Sequence, residues 1–219
     1  MNGVVTLLSV GLALVGVVVS ILAATVVISQ RRRLGRLEQR RKALEHLATR
    51  RHPITGLLTP EQQEVILEAL RTMVADAAER LNLPADHVRA NIFIPVGNGY
   101  LGIAPGLTVN MQNPSELKIE IEEGWGSTGR AFASGQPTIS VRGNDWGASE
   151  LGQHYRGGEP DPDLKWIVSV PIKIGPNRPS LGVLNVDALH ESKSPDELEP
   201  ALQVAIQWSQ IIIYILLSV

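Results

Sequence analysis

Between Val4 and Ser29 the chain has no polar alternation at all, only Val, Leu, Ile, Ala, Gly, Ser and Thr without a charge. At about 1.5 Å per residue, a helix of that length exceeds the ~30 Å hydrocarbon layer of a bilayer. A cleaved signal peptide would need a basic start and an apolar core of about 7–15 residues. Met1-Asn2-Gly3 carries no side-chain charge and the run is too long. The pattern predicts a retained transmembrane helix over residues 1–30, with residues 4–29 in the membrane. Ser9, Ala13, Gly16, Ser20 and Ala24 form a stripe of small residues along it, suited to close approach of a second helix.

The pattern then becomes helical and basic. Leu34, Leu37, Leu44 and Leu47 recur at three-seven-three spacing, a short two-helix seam within a juxtamembrane linker at 31–58. His52-Pro53 breaks it. Further on, Ile66, Ala69, Leu70, Met73, Val74, Ala77 and Leu81 make one apolar stripe. Thr59-Pro60-Glu61-Gln62 supplies the helix start and Asn82 to Pro84 its end.

From Val88 the period shortens. "VRANIFIPV" and "YLGIAPGLTVN" flank Gly97-Asn98-Gly99, which reads as a hairpin. "ELKIEIEE" alternates and predicts a strand with Leu117, Ile119 and Ile121 on one face. "WIVSVPIKI" and "LGVLNVDAL" predict a second hairpin through Gly175-Pro176-Asn177, with Val168, Val170, Ile172 and Ile174 sharing a face. Pro171 has no N–H, so a bulge or unpaired edge is expected beside it. Ser194-Pro195-Asp196-Glu197 caps a last helix with Leu198, Leu202, Ala205, Ser209, Ile212 and Leu216 toward the sheet. Trp208, Ile211, Tyr214, Ile215 and Val219 mark a second apolar face. One sheet cannot cover both, so a partner is expected there, either another subunit or the bilayer surface.

Charge sets the orientation. Residues 31 to 52 hold nine of the 20 Lys+Arg, starting with Arg31-Arg32-Arg33, and only Glu38 and Glu45 among the acids. Positive charge beside an apolar span marks the cytoplasmic side, which puts the N-terminus outside and the rest of the chain in the cytoplasm of a single-pass membrane protein. The basic run also suits anionic headgroups. From Pro53 onward the chain has 11 basic against 20 acidic residues, a poor match for nucleic acid.

The stretch Gly124 to Pro137, "GWGSTGRAFASGQP", spells G-x-G-x-x-G with Asp145 about twenty residues on. A dinucleotide loop leaves a buried parallel strand and enters a long helix. Here the preceding strand is half charged, the helix is stopped by Gly135 and Pro137, and hairpins follow instead of a βαβ repeat. The glycines make a turn and a short packed helix. Gly126, Gly129, Ala131, Phe132, Ala133, Gly135, Gln136, Pro137, Thr138 and Ile139 resemble the signature segment of GAF domains. Ser169 to Leu189 looks like that family's closing hairpin and the capped terminal helix like its last helix. The resemblance covers residues 59–219.

It implies an α+β fold, an antiparallel sheet with helices packed on one face and a ligand pocket on the other, under a lid that would be Val141 to Lys165. The candidate pocket and lid residues are Phe93, Tyr100, Trp125, Arg130, Trp146, His154, Tyr155 and Asp187, the last of which could instead cap its hairpin. Trp208, Ile211, Tyr214 and Ile215 are the candidate interface of a homodimer. The implied function is a membrane-tethered sensory module that binds a small molecule and acts through dimerisation or a separate output protein. The alternative is a ligand-free docking and dimerisation module.

Catalysis is not expected. The chain has no cysteine, which removes thiolate chemistry, thiolate metal sites and a thioether-linked chromophore. The five histidines show no close pairing in sequence, Asp161 and Asp163 flank Pro162 as solvated charge, and His190-Glu191 reads as a surface pair. Asn185 is followed by Val186, so the motif associated with cyclic-nucleotide-binding members is not recognisable. The reading is a partly open pocket without two titratable groups in hydrogen-bond reach, with no metal site and no assigned cofactor.

Overall fold

Thr59 is the N-cap of α1 (Pro60–Leu81), its hydroxyl accepting from Gln62 N while Gln62 Oε1 accepts from Thr59 N, both at 3.2 Å. Asn82, in the left-handed conformation, ends the helix by donating to Ala78 and Glu79 carbonyls. The computed structural model describes residues 58–143 and 154–217, together with Glu38. The apolar span at 4–29, nearly all of the basic linker, Trp146 and Val219 lie outside the described residues.

Seven antiparallel strands follow among the described residues: β1 (Val88–Gly97), β2 (Tyr100–Val109), β3 (Glu120–Glu122), β4 (Thr138–Val141), β5 (Tyr155–Arg156), β6 (Trp166–Ile172) and β7 (Gly182–Ala188). They form one sheet in the order β4-β6-β7-β1-β2-β3-β5. Asn98 and Gly99, both at positive φ, turn β1 into β2, the backbone a two-residue hairpin requires. α2 (Gly126–Ser134) precedes β4, and α3 (Glu199–Leu217) ends the described chain after a 3-10 turn at Asp196–Leu198.

Strand alternation divides the sheet into two unlike faces. Val88, Ala90, Ile92 and Ile94 of β1, Trp166, Val168, Val170 and Ile172 of β6, and Leu184, Val186 and Ala188 of β7 join one core with α1 and α3. The intervening Arg89, Asn91 and Phe93, with Val183, Asn185 and Asp187, point to the other face. There a smaller core of Phe93, Leu101, Ile119, Ile121, Ala131 and Val183 carries α2. Full burial of each aliphatic side chain in the larger core is worth about 1.5–3 kcal/mol before entropy is counted. That core fixes the sheet and leaves its opposite face free to carry polar groups.

Several expectations change here. "ELKIEIEE" is mostly not a strand: Glu116–Lys118 is a 3-10 turn, only Glu120–Glu122 pairs, and Leu117 is exposed while Ile119 and Ile121 are buried. The short helix α2 lies on the face away from the two long helices, so helices occupy both faces. Pro171 keeps its expected unpaired edge: the β6–β7 register runs through it without a shift, and among the described residues the β4 ladder ends at Ser169.

The second apolar face of α3 is partly met within the chain. α1 packs along α3, and Gln62 Nε2 donates to Ile215 O at 3.1 Å, joining the start of one helix to the end of the other. Trp208 and Ile215 are half-buried against the main core, whereas Ile211 and Tyr214 stay exposed, Tyr214 at 70%. Among the described residues, Asp196–Leu217 is long and apolar enough to cross a membrane by length and composition, but its buried face lies against the sheet.

Candidate functional site

The site grows from the polar positions that alternate with core residues in β1 and β7. Cross-strand register sets Arg89 opposite Asp187, Asn91 opposite Asn185 and Phe93 opposite Val183. In β6, Ile167 faces Asp187 and Ser169 faces Asn185, and β4 adds Ser140 beside Ile167 and Thr138 beside Ser169. A row of small polar residues thus crosses the middle of the sheet. Water reaches little of it: Asn91, Ser140, Ser169, Asn185 and Asp187 are all buried.

Burying such groups requires that they pair. Arg89 Nε donates to Asp187 Oδ1 at 2.5 Å, and its two terminal nitrogens donate to the two oxygens of Glu116, each at 2.9 Å. All three residues are at most 4% exposed. Burial lowers the Arg89 pKa, but the carboxylates of Asp187 and Glu116 together outweigh it and hold the guanidinium above its ordinary value. Burial raises the Glu116 carboxyl, more than the attraction of Arg89 lowers it. The triad carries two acids for one base.

Asn91 turns its amide nitrogen toward Asp187 Oδ2 (3.4 Å), so its oxygen faces Asn185. Asn185 Nδ2 donates to that oxygen at 2.9 Å and to Thr128 Oγ1 of α2 at 3.1 Å. This arrangement leaves Asn185 Oδ1 and the neighbouring Ser169 Oγ without a hydrogen-bond partner among the described residues.

α2 roofs part of this face. Gly129 is there because a Cβ would lie 2.4 Å from the Glu122 carbonyl oxygen, so only glycine lets the helix sit this close to the end of β3. Ser127 Oγ meets Thr138 Oγ1 at 2.8 Å, and Arg130 donates to Ser140 Oγ at 2.8 Å. These glycines therefore serve turn and packing, as the segment's short helix implied.

Between α2, the sheet and the chain returning through residues 155–164 lies a cavity of about 730 Å³. Its apolar wall is Phe93, Ile103, Ile119, Ile121 and Ile167, and its polar wall includes Arg89, Glu116, Asp187, Asn185, Arg130 and Ser140. That volume and mixture are typical of a small-molecule site. Burial raises the Tyr155 phenol and the nearby Arg130 charge lowers it, with burial prevailing.

Of the candidate residues, Phe93, Arg130, Tyr155 and Asp187 line this cavity together. The remaining described candidates sit elsewhere, at the β2-β3-β5 end of the sheet. Trp125 is exposed and stacks on His154 at 3.3 Å, and His154 Nδ1 lies 2.8 Å from Glu122. Tyr100 carries the Arg156 guanidinium over its ring at 3.8 Å. Sequence reasoning missed Arg89, Asn91 and Glu116.

One expectation of absence is corrected: Arg89, Glu116 and Asp187 are titratable groups within hydrogen-bond reach. The His87 and His190 rings, far apart in sequence, lie with centroids 4.9 Å apart. Among the described residues, no group of three or more His, Asp and Glu is arranged to hold a metal ion.

No family model matches the chain, and no curated relative is found for it. Solved structures are similar to it in fold. The GAF domain of A. aeolicus NLH2 in an inactive state is 18% identical, with 82% of this chain and 96% of that one covered and a TM-score of 0.45. A phosphoenolpyruvate-protein phosphotransferase GAF domain from Coxiella burnetii is 16% identical, over 83% and 93%, with a TM-score of 0.43. The type II free methionine-R-sulfoxide reductase of Thermoplasma acidophilum is 12% identical, over 69% and 94%, also at 0.43. The similar structures therefore include an enzyme as well as GAF domains. The fold described here is α+β, an antiparallel sheet with two long helices on one face and the cavity on the other, the arrangement that the resemblance to GAF domains implies.

Proposed function

We propose that this chain is a membrane-tethered module whose GAF-like domain binds a small molecule in the cytoplasm and acts through dimerisation or a separate output protein. The observation that carries the reading is the cavity of about 730 Å³ with one apolar and one polar wall, on the sheet face away from α1 and α3. The tether rests on the uncharged run from Val4 to Ser29 and the basic cluster that follows it.

A route for the signal follows from strand alternation. Phe93 lines the cavity while its neighbours Ile92 and Ile94 pack in the helix-side core, and Asp187 stands likewise between Val186 and Ala188. Close-packed interiors transmit such displacements, so a ligand that shifts β1 or β7 also shifts the seats of α1 and α3. Ile211 and Tyr214, exposed on α3, are the contacts through which the change leaves the domain.

The reading is non-catalytic. The chain has no cysteine, and the buried carboxylates of Glu116 and Asp187 are engaged by Arg89. The test is to unfold the purified full chain in detergent, remove small molecules and refold it. A chain that loses a ligand melts at a lower temperature after this treatment and regains its melting point with a small-molecule filtrate of the cells. An unchanged melting temperature, with or without filtrate, overturns the reading.

A further inference from the structure

The charged groups lining the cavity differ in what already holds them. Arg89 is bound to Glu116 and Asp187. Arg156 lies against Glu120 and over Tyr100, and Arg142 donates to the Pro162 carbonyl. Arg130 stands apart. Among the described residues its guanidinium has no carboxylate partner and donates to one neutral group, the hydroxyl of Ser140. Ser140 is fully buried, so this bond ties an otherwise exposed side chain to the cavity wall. Among the described residues most of the five N–H donors of the fork are uncommitted, in the geometry that suits a carboxylate or phosphate.

The surroundings of Arg130 favour the same chemistry. Tyr155 brings a phenol O–H into the cavity close enough to feel the Arg130 charge. Gly126, Ser127 and Thr128, the first turn of α2, which has no side-chain cap, also line the cavity. Ile119, Ile121 and Ile167 supply an apolar surface next to this corner. Glu159 and Asp161, on the returning chain, also line the cavity and oppose a second negative group.

We propose that the cavity selects small molecules with a single terminal oxyanion, a carboxylate or a phosphate, which Arg130 anchors beside Ser140 and Tyr155 while an apolar body lies on Ile119, Ile121 and Ile167. This rests on the reading of the cavity as a ligand site. Arg130 is thus the residue that sets ligand class, and the Arg89 triad is structural support.

The test uses the full chain in phosphatidylcholine nanodiscs, with benzoate, phenyl phosphate and the neutral benzamide as probes, followed by ligand-observed NMR. At least one anion is expected to bind about tenfold or more tighter than benzamide, the scale of a charge-assisted hydrogen bond. Which anion prevails separates carboxylate from phosphate. In Arg130→Gln the preference disappears while benzamide binding persists, and Arg130→Lys keeps part of it. Equal binding of all three probes, an anion preference that survives Arg130→Gln, or no anion binding at millimolar concentration overturns the proposal. Ile167→Trp, which fills the cavity, is expected to abolish every probe. Probes that still bind that variant refute the cavity reading itself, a failure distinct from the loss of anion preference.

Discussion

Arg89 on β1 and Asp187 on β7 stand directly opposite one another and are joined by a 2.5 Å hydrogen bond on the cavity face of the sheet. The other end of Arg89 holds Glu116, so one guanidinium ties the two central strands to the 3-10 turn that leads into β3.

Removing that guanidinium strands two buried carboxylates. Arg89→Met is expected to cost about 3–5 kcal/mol of folding stability, the scale for breaking a buried ion pair from one side. Chemical denaturation of the full chain in detergent, followed by circular dichroism, measures it. A loss under about 1 kcal/mol, the scale of an exposed pair, would mean that water reaches the triad.

The short helix makes a second, purely steric demand. Gly129→Ala places a methyl group 2.4 Å from the Glu122 carbonyl oxygen, a backbone atom that has little room to yield. The expected cost is about 1–3 kcal/mol, as for other overpacked sites. Gly143→Ala, where a Cβ meets nothing within 4 Å, separates crowding from backbone strain because its φ of +88° carries the strain alone. A Gly129→Ala variant as stable as the parent would show that α2 is not seated as described.

Tyr155 links the cavity to pH. Its phenol ionises above the ordinary value because burial disfavours the phenolate, and the Arg130 charge works against that shift. Arg130→Gln removes the lowering influence, so Tyr155 is expected to titrate at still higher pH in the variant. Absorbance at the phenolate band, with Tyr155→Phe to identify the signal among the three tyrosines, reads the change. A downward shift in Arg130→Gln would place the guanidinium away from the phenol.

Ile211 and Tyr214, exposed on α3, are the proposed dimer contact. Ile211→Glu with Tyr214→Glu is expected to weaken self-association about tenfold or more, as loss of an aromatic anchor does, with little change in monomer stability. Sedimentation of the full chain in detergent gives the association constant. Unaltered association would move the contact off this face.

The helix-facing half of the domain was legible because its signal is periodic. Ile66, Leu70, Met73 and Ala77 recur at helical spacing, and Val168, Val170 and Ile172 alternate, so each stripe names its own buried face. The cavity face was harder. Arg89 and Asn91 alternate with core residues in "VRANIF", a pattern that a solvated strand face and a buried polar face share, and Glu116 comes within reach of Arg89 only through a turn 27 residues away. The available clue was that "VRANIF" and "LNVDAL" both place polar residues between core ones, so the two strands shared a polar face. Tyr100, Trp125 and His154 misled for another reason. An aromatic ring stacks as well on a sheet edge as in a pocket, and sequence does not distinguish the two. α3 appeared to need an outside partner along its whole second face because α1, which covers part of it, lies over 100 residues earlier in the chain.

The central claim is that the space above Phe93 and Ile167 holds a small molecule. Native mass spectrometry of the full chain, purified without added ligand and released from detergent in the instrument, tests it most directly against the Ile167→Trp variant. The account predicts a small bound mass on the parent chain that is missing from the filled variant. A parent chain that carries no such mass, or a mass that Ile167→Trp retains equally, would contradict it.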